Sequence, residues 1–203
     1  MRRFSLAVAT ALPMFIALGS AQAQGGAPGA DRQPTITAMV EADPVPFALD
    51  GFSLHARIAH RALPGWVFGA GLYGLRFPGF YQDIFPRNRG EGWNSRIRHA
   101  HALFVDYHFA GRPQGLFVGL QVAAQRLEVT NDNVQAAAAE SVNLLAMGRV
   151  GYLWRPFEAG FYVMPWMGLG GTLSLGDRTV ADQAYEVFPL AVFGTAHLGW
   201  MFE

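Results

Sequence analysis

The stretch VFPLAVFGTAHLGWMF, from Val187 to Phe202, indicates most clearly which fold this chain adopts. With Phe202 taken as outward, one face is apolar and consists of Phe188, Leu190, Val192, Ala196, Leu198 and Trp200. The opposite face carries Thr195 and His197. A period of two is typical of a β-strand with unlike faces, and about 9 to 11 residues cross a bilayer as a tilted strand. The stretch therefore predicts a long strand with one face suited to lipid.

Six upstream segments show the same alternation and are bounded by turn residues. They are Gly51–His60, Trp66–Phe77, Arg96–Phe109, Leu116–Val129, Val142–Trp154 and Phe161–Ser174. The connections between them alternate between short turns that contain Pro or Gly and long polar loops. Outer-membrane barrels have this asymmetry, with short turns on the periplasmic side and long loops outside.

An additional strand is expected before Gly51. The last segment follows a long loop and must run back to the periplasm, and the first segment ends in a short turn and must also run inward. An exported chain that starts in the periplasm needs one outward strand before it, for which Thr35–Ala42 is the candidate, with Asp43–Pro46 as its outer turn. The expected fold class is all-β: a closed antiparallel up-and-down transmembrane β-barrel of about eight strands over residues 35–203.

The first residues have the pattern of a cleaved secretory signal peptide. Arg2 and Arg3 precede the apolar stretch Phe4–Leu18, and small residues follow at Ser20–Ala23. We predict a signal peptide over residues 1–23 and a flexible, Gly- and Pro-rich lead-in over residues 24–34. Together with the strand pattern, this predicts export to the bacterial outer membrane.

Composition excludes several classes of protein. Of the 203 residues, 51% are hydrophobic and 15% are charged, which is too apolar for a disordered chain. Without the signal peptide, 13 basic residues (15 − 2) face 15 acidic ones, so a nucleic-acid partner is not expected. The chain has no Cys, so neither a disulfide framework nor a lipid-modified N-terminal Cys can form.

The face opposite the apolar one decides between two kinds of barrel. A soluble periplasmic barrel of lipocalin type would turn its apolar face inward and its other face to water. Here the other face carries small, uncharged residues, namely Gly69, Gly71, Gly119, Ala123, Gly151, Gly168 and Gly170. These suit the narrow interior of an eight-stranded barrel better than a soluble surface, which favours the membrane barrel.

The chain resembles the small eight-stranded outer-membrane barrels of Gram-negative bacteria, the OmpA/OmpX-like group in the broad sense. The resemblance rests on the signal peptide, the alternating strands, the loop asymmetry and the ending LGWMFE. It implies that Trp200 and Phe202 form the signal for the barrel-assembly machinery, although here Glu203 follows the aromatic residue.

Polar residues on the inward faces predict a packed lumen. The expected network consists of His55, Arg57, Asp106, Gln121, Gln125, Asn143, Arg149 and His197. Opposite charges inside a narrow barrel must pair, because an unpaired charge in a low dielectric is costly. The alternative is that these groups line a narrow pore or a conduit for a small hydrophobic ligand.

The first long loop is the strongest candidate for interaction with a partner. Its aromatic and basic residues are Phe80, Tyr81, Phe85, Arg87, Arg89, Trp93 and Arg96. Guanidinium groups can bind phosphates, so lipopolysaccharide and outer-membrane lipid are expected partners, with an extracellular protein as a further possibility. The same residues would also suit the aromatic belt at the membrane surface.

No arrangement of reactive residues indicates catalysis, so we predict a non-enzymatic protein with no cofactor. Ser53 and His55 share a face, which leaves an outer-membrane lipid-modifying enzyme as an alternative. His99 and His101 could bind a metal only if a third ligand, such as His60 or Asp83, came near, and we therefore predict no metal site.

Overall fold

Eight antiparallel strands close into a barrel in the computed structural model, which describes residues 35–157, 159–187 and 189–202. The strands are β1 (Ile36–Ala42), β2 (Phe52–His60), β3 (Trp66–Arg76), β4 (Trp93–His108), β5 (Gly115–Asn131), β6 (Ala139–Leu153), β7 (Phe161–Leu175) and β10 (Leu190–Phe202). Consecutive strands are neighbours, and β10 pairs with β1 to close the ring. The prediction of an all-β, eight-stranded, up-and-down sheet is confirmed. The predicted signal peptide and lead-in lie outside the described residues.

Four short elements lie in the long loops. They are α1 (Pro44–Ala48), α2 (Gly79–Gln82) and the hairpin of β8 (Thr179–Val180) with β9 (Gln183–Ala184). The predicted turn at Asp43–Pro46 is the start of α1, which Asp43 caps by accepting a hydrogen bond from the Val45 amide at 2.9 Å. None of the helices in the described part of the chain has the length and hydropathy of a membrane-spanning segment.

Three predicted strand starts shift by three residues in the structure, and one of them is that of β6, which begins at Ala139 rather than Val142. β4 begins at Trp93 rather than Arg96, because its ladder with β5 continues to the pair Trp93 and Asn131. The last strand begins at Leu190 rather than Val187, directly after Pro189, which has no amide to donate to a ladder. Consecutive connections of an up-and-down barrel lie at alternate ends, so the long loops share one end, which we call the long-loop end. The opposite end is the short-turn end.

Side chains alternate between the barrel wall's two faces. In β2, Ser53, His55 and Arg57 are buried, whereas Leu54 and Ile58 are exposed. Large apolar side chains are exposed on the outside of every long strand, and the inside holds charged, polar and aromatic side chains. At the short-turn end the interior is filled by residues such as Met39, Phe117, Leu153, Tyr162 and Met164.

Glycines on the inner face make room for large neighbours. A Cβ at Gly69 would lie 2.0 Å from the Phe104 ring, and one at Gly119 would lie 1.9 Å from a carboxylate oxygen of Asp106. The small residues predicted for the inner face thus leave space for the side chains that fill the interior.

One seam of the barrel is only partly paired. β1 pairs with β10 from Ala38 opposite Phe202 to Ala42 opposite Leu198. Beyond this point the chain leaves β1 and forms α1, which contacts β2, β3 and β10. The residues Leu190–His197 of β10 are therefore paired with β7 on one side but with no strand on the other among the described residues.

Candidate functional site

A layer of four charged side chains crosses the barrel interior. Arg57 donates from Nε to Glu41 Oε1 at 2.7 Å and from Nη1 to Asp106, and Arg149 Nε lies 3.2 Å from Asp106 Oδ1. All four side chains are almost completely buried. Two guanidinium groups and two carboxylates balance in formal charge, which is the arrangement that buried ions require.

Aromatic rings and one amide surround these charges. The Arg57 guanidinium lies 4.3 Å from the centre of the Phe104 ring, and that of Arg149 lies 4.3 Å from the centre of the Trp166 ring. Arg149 also donates to Gln121 Oε1 at 2.9 Å. The layer and the apolar side chains beneath it close the short-turn half of the lumen.

A chain of polar groups continues from this layer towards the long-loop end. Glu41 accepts a hydrogen bond from the Tyr162 hydroxyl at 2.7 Å, and its other oxygen lies 2.7 Å from His197 Nδ1. The His197 ring stacks on His55 with centroids 4.7 Å apart. His55 Nδ1 lies 3.3 Å from Ser53 Oγ, which accepts a hydrogen bond from the Asp43 amide.

Glu41, His55 and His197 form the one cluster of three metal-ligating side chains within the described residues, with ligand atoms within 4.8 Å of one another. Their orientation does not suit a metal ion. The two imidazole planes are nearly parallel, at 16°, so the lone pairs of their nitrogens lie in separate planes and do not converge. Glu41 is already bound to Arg57, and the cluster is therefore a hydrogen-bonded floor rather than a formed metal centre.

The two histidines of the other metal hypothesis lie on the outer face of β4. His99 and His101 are exposed, with ring centroids 5.8 Å apart. Neither His60 nor Asp83 joins them in a cluster of three ligands within the described chain.

A cavity of about 160 Å³ lies above the histidines, in the long-loop half of the barrel. Polar side chains in its lining are Asp43, Ser53, His55, Gln121, Gln125, Asn143 and His197, and those of Gln121 and His197, which are hydrogen-bonded to the charged layer, lie at its floor. Its walls are mainly apolar and include Leu75, Phe77, Phe85, Ile97, Leu127, Leu145, Trp166, Val187 and Phe193. The residues that line it, all in the described part of the chain, include no Arg or Lys. The cavity therefore offers a mainly apolar chamber with hydrogen-bonding groups in its lining and no Arg or Lys side chain.

The long loops fold over this cavity and pack against each other. Tyr185 donates to Gln82 Oε1 at 2.6 Å, and Asn88 exchanges hydrogen bonds with the backbone of Glu186 at 2.8 and 2.9 Å. Burial raises the pKa of Tyr185 to about 12, since the phenolate would lose its hydration there. The loops are thus held together and form a roof over the cavity.

Some of the loop residues predicted to contact a partner pack into the interior of this roof, and others lie exposed on its surface. Phe85 and Trp93 are 4% and 5% exposed, so their assignment to an exposed interaction surface is corrected: both pack inward. Tyr81 is half-buried and stacks on Phe77. Phe80 is 70% exposed, Arg87 and Arg89 are exposed, and Arg96 is half-buried.

All eight residues predicted for the lumen point into the barrel, seven of them buried and Gln125 partly buried, where it donates to the Tyr73 hydroxyl at 2.7 Å. Trp200 and Phe202 are exposed on the outer face at the short-turn end. Sequence reasoning missed Glu41, Asp43 and Tyr162. Glu41 could have been found, because it follows Met39 on the inner face of β1 and pairs with His55 in the ladder to β2.

Comparison with known proteins does not identify a relative. No known protein family matches the chain, and no curated protein matches it significantly.

Proposed function

We propose that this chain is an exported outer-membrane barrel that binds a small, uncharged amphiphile in the cavity at its long-loop end. The observation that carries the proposal is the combination of an apolar chamber, polar lining groups that include no Arg or Lys, and a charge-paired layer that closes the lumen beneath. The role is binding, and no catalytic step is part of it.

The exterior of the barrel supports a membrane location. Large apolar side chains are exposed around the whole wall, among them Leu103, Leu120, Leu169, Leu173 and Val192. Aromatic side chains are exposed near the short-turn end, at Trp66, Phe68, Phe109, Tyr152, Trp154, Trp200 and Phe202. An apolar band with an aromatic girdle is the surface that a bilayer and its headgroup region favour.

The size of the cavity limits the ligand. A cavity of about 160 Å³ is close to the roughly 150 Å³ that holds benzene in an engineered protein core. We therefore propose an apolar ring or short chain of about six carbon atoms.

Polar groups in the lining of the cavity select the polar group of the ligand. The Asp43 carboxylate is one of them, and the guanidinium groups of Arg57 and Arg149 lie below the cavity, already paired with carboxylates. An anionic headgroup would meet the Asp43 carboxylate and no Arg or Lys side chain, whereas a hydroxyl could both donate to and accept from the polar groups of the lining. An uncharged hydroxyl compound is therefore the proposed ligand class.

Binding of para-cresol and benzoate, a phenol and a carboxylate of similar size, to the protein in nanodiscs tests this proposal, with the amide chemical shifts of the cavity residues as the readout. We expect saturable shifts with the phenol and none with the benzoate. Thr172→Phe should weaken phenol binding by about tenfold or more, since a phenyl ring occupies most of a benzene-sized cavity. Leu173→Phe is the matched control, because Leu173 points outward next to Thr172 in β7. Equal binding to both variants would overturn the proposal.

A second candidate function is contact with lipopolysaccharide through the surface of the roof. It is favoured by the exposed side chains Phe80, Arg87 and Arg89, which combine an aromatic ring with guanidinium groups that suit phosphates. Replacing both arginines by Gln should weaken lipopolysaccharide binding and leave phenol binding unchanged. Unaltered lipopolysaccharide binding would remove this candidate.

A further inference from the structure

The wall of the barrel has a gap on the seam between β1 and β10. β1 contains 7 residues, which span about 23 Å along the strand and about 18 Å in height at a tilt of roughly 40°. The apolar band of an outer-membrane barrel is about 25 Å tall. If the chain spans the membrane as proposed, β1 ends below the top of the band, and the wall next to β10 lacks a strand at the height of the outer leaflet.

α1 and Asp43 lie next to this gap. Asp43 accepts a hydrogen bond from Thr195 of β10 at 2.6 Å, and its amide donates to Ser53 of β2 at 3.1 Å. Within the described chain, no backbone hydrogen bond joins α1 to the free edge of β10 between Leu190 and Gly194. Unpaired strand edges are not stable against lipid, and irregular backbone at membrane depth is tolerated where it lines a cavity.

The cavity reaches this edge. In a complete wall only every second residue of a strand can face the lumen. Here four consecutive residues line the cavity, Leu190, Ala191, Val192 and Phe193, although the outward-facing Val192 is 68% exposed. Pro46 of α1 lines it as well. The cavity therefore borders the unpaired edge of β10.

The surface around the gap is apolar on both sides. Leu190 and Val192 are exposed on β10, Phe47 is 55% exposed on α1, and Phe52 and Leu54 are exposed on β2. Asp43, which borders the gap, is buried and accepts a hydrogen bond from Thr195, so the exposed side chains named here offer a solute in the bilayer an apolar surface.

We propose that this gap is a lateral portal, through which the cavity takes up its uncharged amphiphile from the outer leaflet of the membrane rather than from water. The inference rests on the proposed function and adds the source and the route of the ligand. The portal is bounded by Leu190–Gly194 of β10 on one side and by α1 and the start of β2 on the other.

The absence of Cys from the chain allows a direct test by single-cysteine labelling. Ala191→Cys places a thiol on the cavity side of the free edge, and Ala123→Cys places one on the inner face of β5, where the residue is buried. Leu198→Cys, on the lipid face of the paired part of β10, is the positive control. Each variant in phosphatidylcholine vesicles is exposed to N-dodecylmaleimide, which partitions into the bilayer, and to a sulfonated maleimide, which remains in water.

We expect N-dodecylmaleimide to label Ala191→Cys at a rate comparable to Leu198→Cys and about tenfold or more faster than Ala123→Cys, since the bilayer concentrates the alkyl reagent. Labelling of Ala191→Cys by the sulfonated reagent alone, or by neither reagent, would overturn the portal. In either case phenol binding to the unmodified protein still reports on the proposed function, so the two failures can be distinguished.

Discussion

Arg57 connects both carboxylates of the buried layer, and it is itself almost completely buried. Removing its charge leaves Glu41 and Asp106 without their shared cation. A buried unpaired charge lowers the free energy of unfolding by much more than the loss of an exposed ion pair does. Arg57 therefore contributes more to stability than the arginines of the exposed ion pairs.

We therefore predict that Arg57→Gln lowers the free energy of unfolding by about 3 to 5 kcal/mol, measured by urea denaturation in lipid vesicles. Arg76→Gln is the control, because Arg76 forms a half-exposed pair with Asp50 at 3.4 Å, and its loss should cost less than about 1 kcal/mol. Similar losses for the two variants would contradict the charge-paired layer.

Tyr185 reports on the docking of the loops. Its raised pKa means that the docked state favours the neutral phenol. The contribution of this group to the stability of docking is therefore complete below the ordinary Tyr pKa, near 10. It is lost as the pH rises through about 12. The ultraviolet absorbance of tyrosinate, taken as the difference between the wild type and Tyr185→Phe, should show one group titrating near pH 12. Titration near pH 10 would mean that the roof is open to water.

At the scale of strands, the inner glycines limit what the wall can accommodate. Gly69→Ala would force a Cβ into the Phe104 ring, whereas Gly148, on the outer face of β6, has only one neighbouring atom, at 3.9 Å. We expect Gly69→Ala to lower the free energy of unfolding by about 1 to 3 kcal/mol and Gly148→Ala to change it little. Equal effects in urea denaturation would show that the interior is less tightly packed than described.

The strands could be predicted because each carries its own alternation, which is a local property of the sequence. α1 could not, since its start, Asp43–Pro46, reads as an ordinary turn and the segment is short. The partial seam follows from the early end of β1, and that end is recognised only when the register with β10 is known. The burial of Phe85 and Trp93 depends on contacts between loops distant in sequence, such as those of Asn88 with Glu186.

At the scale of the whole molecule, the barrel has two halves with different contents. The short-turn half is filled by the charged layer and apolar side chains, and the long-loop half encloses the cavity beneath the roof. The polar lumen could be predicted from facing polar residues, but the cavity could not, because its volume depends on how the loops and strands pack together. A filled short-turn half with a roofed cavity above it suits the proposed binding of a ligand rather than conduction of ions.

The proposed function requires that the barrel lies in the outer membrane with its apolar face towards lipid. Electrophoresis of boiled and unboiled samples, taken from outer-membrane fractions separated on a sucrose gradient, tests location and barrel closure together. We predict that the protein is found in this fraction and that its mobility changes on boiling, as a folded barrel opens. A protein that is soluble in the periplasm and whose mobility does not change would contradict the account.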